Sequence, residues 1–523
     1  MLKRRYTLWL ILQSGLICVG LLLVGLESPN RTVLSVQPVK SSDDLVPMAY
    51  LPLVMNGEPA GHGAFPNCRF GATIFPSYWG QLDISSFQIG TYQDFQSRHT
   101  PPGEAGLEYW QMIRIHQRKS ASGEYLDGYV ISPDWEVLET YVRANPGALW
   151  IVGNEPDREL IQDDTYPQVY ARAYHDIYYF IKSIDSTARI AVAGLVGFTP
   201  GREQYLDIVW ETYSREFGEP MPADAWTIHP YVLWESGGAG AHVALGTDPS
   251  LAIPYSNECN DPASICYAEH DDMNLFAGQI ERMRRWMKRH GQQTKPLLVT
   301  EWGVLLPYRW EDGSFFYDEK GETFNPERVA RFLTNTLNYF QNTTDLDLGY
   351  PADDYRLVQQ WAWFALSVST IEASAGNLVE PRPPYTTTYV GRVWQHYVAG
   401  ITPVIDLRVE AGSTTMLYPG GNVTLTAKIY NTGNISTSTP LTISFYADPN
   451  MSTLITTYVI DPLPGCTWGR TVTATWEVGE KGMHPFWVMV SGATDGNPTD
   501  NISRGSVLVA SEQVFLPMIL YNR

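Results

Sequence analysis

Between residues 67 and 400, short apolar runs alternate with longer stretches whose apolar positions recur every three to four residues. Short runs rich in Val, Ile, Leu and Trp predict buried strands, and the 3.6-residue period predicts helices packed over them. Strands are predicted at 69–75, 110–116, 148–153, 189–194, 225–229, 296–301 and 357–364. A fainter eighth, third in order, is expected around 124–131. Helices are predicted at 134–144, 166–184, 202–217, 273–290 and 326–341. Ser132-Pro133, just before the first of these, reads as an N-cap with proline at the first helical position. Such alternation over about 330 residues predicts an α/β fold, a (β/α)8 TIM barrel with insertions spanning 67–400. A doubly wound sheet is the alternative, but no Gly-rich phosphate loop follows the first strand.

Beyond Thr402 the helical period stops and period-two alternation begins. Alternating runs at 404–409, 423–430, 441–447, 454–460, 471–478, 484–490 and 505–510 are separated by Gly, Pro, Asn and Thr turns. They predict an all-β, antiparallel immunoglobulin-like sandwich over 403–511. The stretch Leu425-Thr426-Ala427-Lys428-Ile429-Tyr430-Asn431-Thr432-Gly433 resembles the strand-and-turn of bacterial adhesion-type immunoglobulin-like modules. Asn-x-Ser/Thr words at Asn422, Asn434, Asn450 and Asn501 are expected by chance in so Ser- and Thr-rich a segment.

At the other end, Lys3-Arg4-Arg5 precedes an apolar stretch from Leu8 to Leu26. Residues 1–27 read as a signal peptide or an N-terminal anchor, since the stretch is near the roughly 20 residues a membrane span needs. Either way the chain is expected to be secreted or held at the cell surface. Residues 28–66 read as a linker and 512–523 as a tail. The words Tyr50-Leu51-Pro52-Leu53-Val54-Met55-Asn56 and Phe515-Leu516-Pro517-Met518-Ile519-Leu520-Tyr521-Asn522 nearly repeat each other, as a docking tag or as two edge strands. After export four cysteines remain, and Cys259 and Cys266 lie close enough to pair in an oxidising compartment. Metal binding there is the weaker option, because no His or Cys pair stands nearby at zinc-ligand spacing.

The formal net charge of −20 argues against a nucleic-acid partner or an anionic membrane surface as the main ligand. The chain holds 17 Trp and 31 Tyr, an excess that suits stacking on sugar rings as well as filling a large core.

In a (β/α)8 barrel the chemistry gathers at the C-terminal ends of the strands. Those ends carry Arg114 and His116, then Asn154 and Glu155, then His229-Pro230-Tyr231, then Glu301 and Trp302, and last Trp361 and Trp363. Two glutamates presented by two strand ends match the needs of glycosidic cleavage: one carboxyl protonates the leaving oxygen, and the other attacks or activates water.

Gly153-Asn154-Glu155-Pro156-Asp157, Val299-Thr300-Glu301-Trp302-Gly303 and Gln360-Trp361-Ala362-Trp363-Phe364 resemble the large clan of retaining (β/α)8 glycoside hydrolases, most of all its β-1,3-glucanase-type members. The resemblance covers the barrel. It implies Glu155 as acid/base and Glu301 as nucleophile, with their carboxyls about 5–5.5 Å apart. It places Asn154 on the sugar 2-hydroxyl, Arg114 and Tyr231 beside Glu301, and His229 beside Glu155 or a substrate hydroxyl. Trp363 is expected to floor the subsite and Trp302 to line the cleft. Trp361 is expected to fill the barrel, and His116 to stand at a subsite. The segments Gly237–Ala241 and Cys259–Cys266 are expected to shape the cleft. The substrate implied is a poly- or oligosaccharide, β-glucan-like, cleaved by a monomer without metal or cofactor. A catalytically silent glycan-binding surface protein and a transglycosylase are the competing readings.

Overall fold

The apolar runs of the N-terminal part pair side by side and in parallel. The computed structural model describes residues 65–511 apart from 105, 238 and 239. The expected signal or anchor, both Leu-Pro words, the tail and all of the linker but its last two residues lie outside the described residues. One sheet orders Glu108–Tyr109, Ile89–Gln93, Asn67–Thr73, Gln360–Trp363, Leu297–Trp302 and Trp226–Ile228, every neighbour parallel. A second orders Tyr125–Ser132, Gln111–Lys119, Leu149–Val152 and Arg189–Val192. A parallel bridge from Ala191 to Ala225 links the second sheet to the first. At the other margin Glu108–Tyr109 runs through Trp110 into Gln111–Lys119.

Two expectations change here. Tyr125–Ser132 pairs antiparallel with Gln111–Lys119 as a hairpin, so it does not stand in the parallel succession. Its side chains are mostly half-buried or exposed, which explains its faint apolar signal. The strand missed by pattern is Ile89–Gln93, second in order and entirely buried, whose Gly, Thr and Gln hide it from a hydrophobicity reading. The helix Trp135–Ala144 is capped by Asp134, whose carboxylate accepts from Val137 N, and not by Ser132. Pro133 therefore precedes the cap instead of opening the helix.

The other helices are Pro167–Ile184, Pro200–Phe217, Met273–Arg289, Pro326–Asn342 and Tyr389–Ala399. Proline opens three of them, where its missing N–H costs nothing. Thr199, Asp272, Asn325 and Thr388 cap helix starts by accepting from backbone N–H groups. Each helix lays an apolar face on the parallel strands. Among the described residues no helix is long and apolar enough to cross a membrane.

The C-terminal part holds a three-stranded sheet of Leu407–Ala411, Gly421–Asn431 and Arg470–Val478. A five-stranded sheet orders Ser413–Leu417, Ile502–Ala510, Gly482–Ser491, Leu441–Tyr446 and Leu454–Ile460. Val423, Leu425, Ala427 and Ile429 alternate with exposed residues and share one core with Ile443, Phe445, Phe486, Val488 and Val507. Ser413–Leu417 was not expected, and it pairs parallel with Ile502–Ala510, so the part is not wholly antiparallel.

The two parts are tied at the start of the first strand. Cys68 is disulfide-bonded to Cys466, and Cys259 to Cys266. Beside the first bond, buried Arg69 donates to both carboxylate oxygens of Asp353, at 2.7 and 3.0 Å, and to Thr432 O at 2.7 Å. Removing one partner of a buried ion pair strands the other charge. Arg69→Ala is therefore expected to cost about 3–5 kcal/mol in a urea titration, and Arg69→Ala with Asp353→Ala less than the sum of the single changes.

Candidate active site

The site is built on two strand ends. Leu149–Val152 is fully buried and stops at Gly153, whose φ of +98° turns the chain sharply. A Cβ at Gly153 would meet Ala193, Asp163 and Tyr170 atoms, each at 3.2 Å. Glu155 follows in the left-handed region at φ +45°, its N–H bonded to Gly194 O at 3.0 Å. Strain in a non-glycine residue persists only where surroundings over-determine it. Here they do. Asp163, wholly buried, accepts from Asn154 N at 2.7 Å, from Ile115 N at 3.0 Å and from Arg114 Nε. Asp157, also wholly buried, is ion-paired with Arg202 at 2.8 Å.

The second strand end is Leu297–Trp302. Its register against Gln360–Trp363 shifts between Trp361 and Trp363. A bulge of this kind re-aims side chains. Both Thr300 and Glu301 reach the same histidine: His229 Nε2 lies 2.9 Å from Thr300 Oγ1, and Nδ1 lies 3.5 Å from Glu301 Oε1. His229 Nδ1 also lies 2.9 Å from Glu155 Oε1. A Cβ on Gly194 would sit 2.7 Å from the imidazole, so only glycine leaves room for it. Tyr231 donates to Glu301 Oε2 at 3.3 Å. Glu155, His229 and Glu301 thus bring one oxygen or nitrogen each within 4.8 Å of one another, all buried.

Charge is unevenly shared. Burial pushes Glu155 up, but Arg158, whose Nη1 is 3.0 Å from Glu155 Oε2, and His229 outweigh it and hold Glu155 below the usual carboxylate range. Burial raises Glu301, and the charge of Glu155 adds to the rise, leaving it above that range despite His229 and Tyr231. Burial alone would lower His229, yet Glu301 and Glu155 raise it. Glu155 is therefore held toward its ionised form and Glu301 toward its protonated form.

Above this floor opens a small cleft of about 60 Å³, lined by Glu155, Arg158, Gln162, Tyr231, Trp234, Tyr267, Glu301, Leu305, Leu306, Trp310, Phe364 and Glu372. Asn154, buried behind the lining residue Gln162, has Nδ2 bonded to Gln162 at 3.1 Å and Oδ1 buried without a partner. Gly240 brings the first of the two expected segments to the cleft, with 238 and 239 outside the described residues, whereas no residue of Cys259–Cys266 lines it and Tyr267, just after that segment, does.

Several expected residues stand elsewhere. Arg114 does not touch Glu301; it clamps Asp163 and Gln162 behind Asn154. Trp302 and Trp363 are wholly buried and meet edge-on, with centroids 4.5 Å apart, on the helix-facing side of the sheet. Trp302 also packs on Phe340, and Trp363 donates to Gly376 O. Trp361, expected to fill a barrel, stacks on Phe340 on that same side of the sheet. The alternation was real but its phase was opposite: Ala362 and Phe364 face inward with Leu298 and Ile151. His116 is exposed, cross-strand from Val130 in the hairpin. Residues not foreseen are Arg158, Gln162, Thr300, Trp234 and Trp310. Arg158 stood three positions after Glu155, a spacing that could have marked it.

No family model matches the chain. No curated protein matches it either. Among solved structures it is similar to a glucosidase from Croceicoccus marinus, at 12% identity over 81% of this chain and 95% of that one, TM-score 0.38. It is also similar to a monomeric beta-xylosidase from Caulobacter crescentus, at 10% identity over 82% and 97%, TM-score 0.38. About a fifth of the chain is similar to the CARDB domain of a Pyrococcus furiosus protein, at 17% identity over 21% of this chain and 99% of that one, TM-score 0.19. Likenesses this distant carry no argument about chemistry, which rests on the site itself.

A carboxyl raised by folding adds stability that is full below its unfolded range and is lost as pH rises through its folded value, here about 7. Glu301→Gln removes that loss. The melting temperature of the variant relative to the parent is expected to rise between about pH 4 and about pH 8, followed by circular dichroism. A flat difference would contradict the raised Glu301.

Proposed function

We propose that the protein is an exported retaining glycoside hydrolase. In this reading the parallel strands close as a (β/α)8 barrel over 67–400, followed by an immunoglobulin-like sandwich over 403–511. Continuous parallel pairing through the Ala191–Ala225 bridge and through Trp110 supports closure. Two disulfides support an oxidising compartment. The observation that carries the activity is the carboxylate pair: Glu155 and Glu301 oxygens lie within 4.8 Å at the floor of an aromatic cleft. That closeness fits double displacement, for which carboxyls stand about 5–5.5 Å apart, better than inversion, for which they stand about 6.5–9.5 Å apart.

The Glu301 carboxylate attacks the anomeric carbon as its bond to the leaving oxygen breaks. Glu155 gives its proton to that oxygen. Water, deprotonated by Glu155, then splits the glycosyl ester and frees Glu301. Asn154 Oδ1, buried and unpartnered, accepts from a sugar hydroxyl. Trp234, Trp310 and Tyr267 stack on neighbouring sugar faces. Before attack, the resting proton must move from Glu301 to Glu155. His229 Nδ1, 2.9 Å from Glu155 and 3.5 Å from Glu301, is the path. The substrate is a poly- or oligosaccharide, and no metal or cofactor takes part in these steps.

The test is hydrolysis of a polysaccharide panel with products followed by NMR. The first product is expected to keep its anomeric configuration. Glu155→Gln should lower kcat by about 10²–10⁴-fold, and Glu301→Gln at least as far. With azide, Glu155→Ala should give a glycosyl azide of retained configuration and Glu301→Ala one of inverted configuration. The reverse pattern would exchange the two roles, and inversion by the parent enzyme would remove the mechanism.

A further inference from the structure

Arg158 presents a problem that the cleavage cycle alone does not solve. The residue is only 4% exposed yet lines the cleft, and its guanidinium is sparsely bonded. Among the described residues its one hydrogen bond runs from Nη1 to Glu155 Oε2, at 3.0 Å, and its Nε is buried without a partner. A guanidinium has five N–H donors in a planar fork, so most of this one is unspent. Asp157, next in the chain, is committed to Arg202, and Glu372 across the cleft forms no ion pair with Arg158.

The acid step needs Glu155 protonated. When the proton passes from Glu301 to Glu155 the negative charge moves to Glu301, with which Arg158 forms no ion pair among the described residues, so Arg158 loses the anion it is bonded to, and a buried cation without a bonded anion is disfavoured. Something must therefore replace the Glu155 carboxylate when the substrate enters. A sugar hydroxyl can accept a hydrogen bond but brings no charge. A carboxylate on the substrate brings both, in the bidentate geometry the fork prefers.

Resting on the glycosidase reading, we propose that the substrate is an acidic glycan, and that Arg158 binds the carboxylate of a uronic acid residue placed at the cleavage point. The exchange of partners couples recognition to chemistry. The uronate draws Arg158 off Glu155, Glu155 takes the proton held by Glu301, and the site becomes an ionised nucleophile beside a protonated acid. No bond is made or broken in this exchange, and one proton moves between groups already present. A neutral sugar leaves Arg158 on Glu155, which stays ionised and has no proton to give. Specificity thus comes from the need to give a buried cation an anion.

The experiment compares glucuronoxylan, polygalacturonate and hyaluronan, each beside its carboxyl-reduced form, as substrates for the parent enzyme, Arg158→Gln and Arg158→Lys. The expected result is cleavage of at least one uronate polymer with kcat/KM roughly tenfold or more above its reduced form. Arg158→Gln should collapse that ratio toward one. Arg158→Lys, which keeps the charge and loses the fork, should fall between and guards against a folding defect. Equal cleavage of both members of every pair, or a ratio untouched by Arg158→Gln, would overturn the proposal. A parent enzyme that cleaves neutral glycans alone would overturn it while leaving the glycosidase reading intact. If nothing is cleaved, calorimetry of the same polymers on the Glu301→Gln protein decides. Tighter binding of a uronate form, abolished by adding Arg158→Gln, supports the carboxylate site without the activity, and equal binding overturns it.

Discussion

Two carboxylates buried side by side set the terms for everything around them. Neither can shed its charge into water, so each needs protein partners or a proton. His229 stands between them, Arg158 takes one side of Glu155, and Tyr231 takes one side of Glu301. The backbone pays for this crowding with special positions: Gly153 turns, Glu155 sits left-handed, and Gly194 gives its side-chain volume to the imidazole. A further shell of buried ion pairs, Asp163 with Arg114 and Asp157 with Arg202, pins the loop that carries Glu155. Arg202 in turn meets Glu235 on the loop beyond His229, so the two sides of the site are fastened to each other.

Two aromatic populations do different work. Trp302, Trp361 and Trp363 pack beneath the helices and hold the strand ends level. Trp234, Tyr267 and Trp310 come from the long loops and give the cleft its apolar wall. Tyr267 follows the Cys259–Cys266 disulfide directly, and its ring meets Trp234 at 4.5 Å. The bond steadies a wall residue, not the carboxylates. At the opposite, N-terminal end of the strands, Cys68 and Arg69 bind the C-terminal part through Cys466 and Thr432. That joint lies at the start of the first strand, away from the ends that hold the chemistry.

Much of the architecture was legible because it is periodic. The buried parallel strands and the capped amphipathic helices could be read wherever apolar residues dominate. Ile89–Gln93 could not, since a strand of Gly, Thr and Gln buried by its neighbours carries no local hydrophobic signal. Tyr125–Ser132 showed the reverse fault: it is a strand, but nothing local tells a hairpin arm from a parallel neighbour. In the site, Glu155, Glu301, Asn154, His229 and Tyr231 come together as the strand-end reasoning required. Arg114, Trp302 and Trp363 do not join them. Period-two spacing tells which residues share a face but leaves open which face is inside.

The sequence by itself determined most of the apolar strands and helices, the change from α/β to all-β near residue 402, and the pair of glutamates at or just beyond the ends of two buried strands. These depend on local pattern and on residue type, which the chain states outright. Only the tertiary structure decided the distances and charges: that the two carboxylates stand within 4.8 Å, that Arg158 leans on one of them, and that Cys68 reaches Cys466 across 398 residues. Such facts are sums over neighbours brought from far along the chain. A proton's place in a buried cluster depends on all of them at once, so no window of sequence contains it.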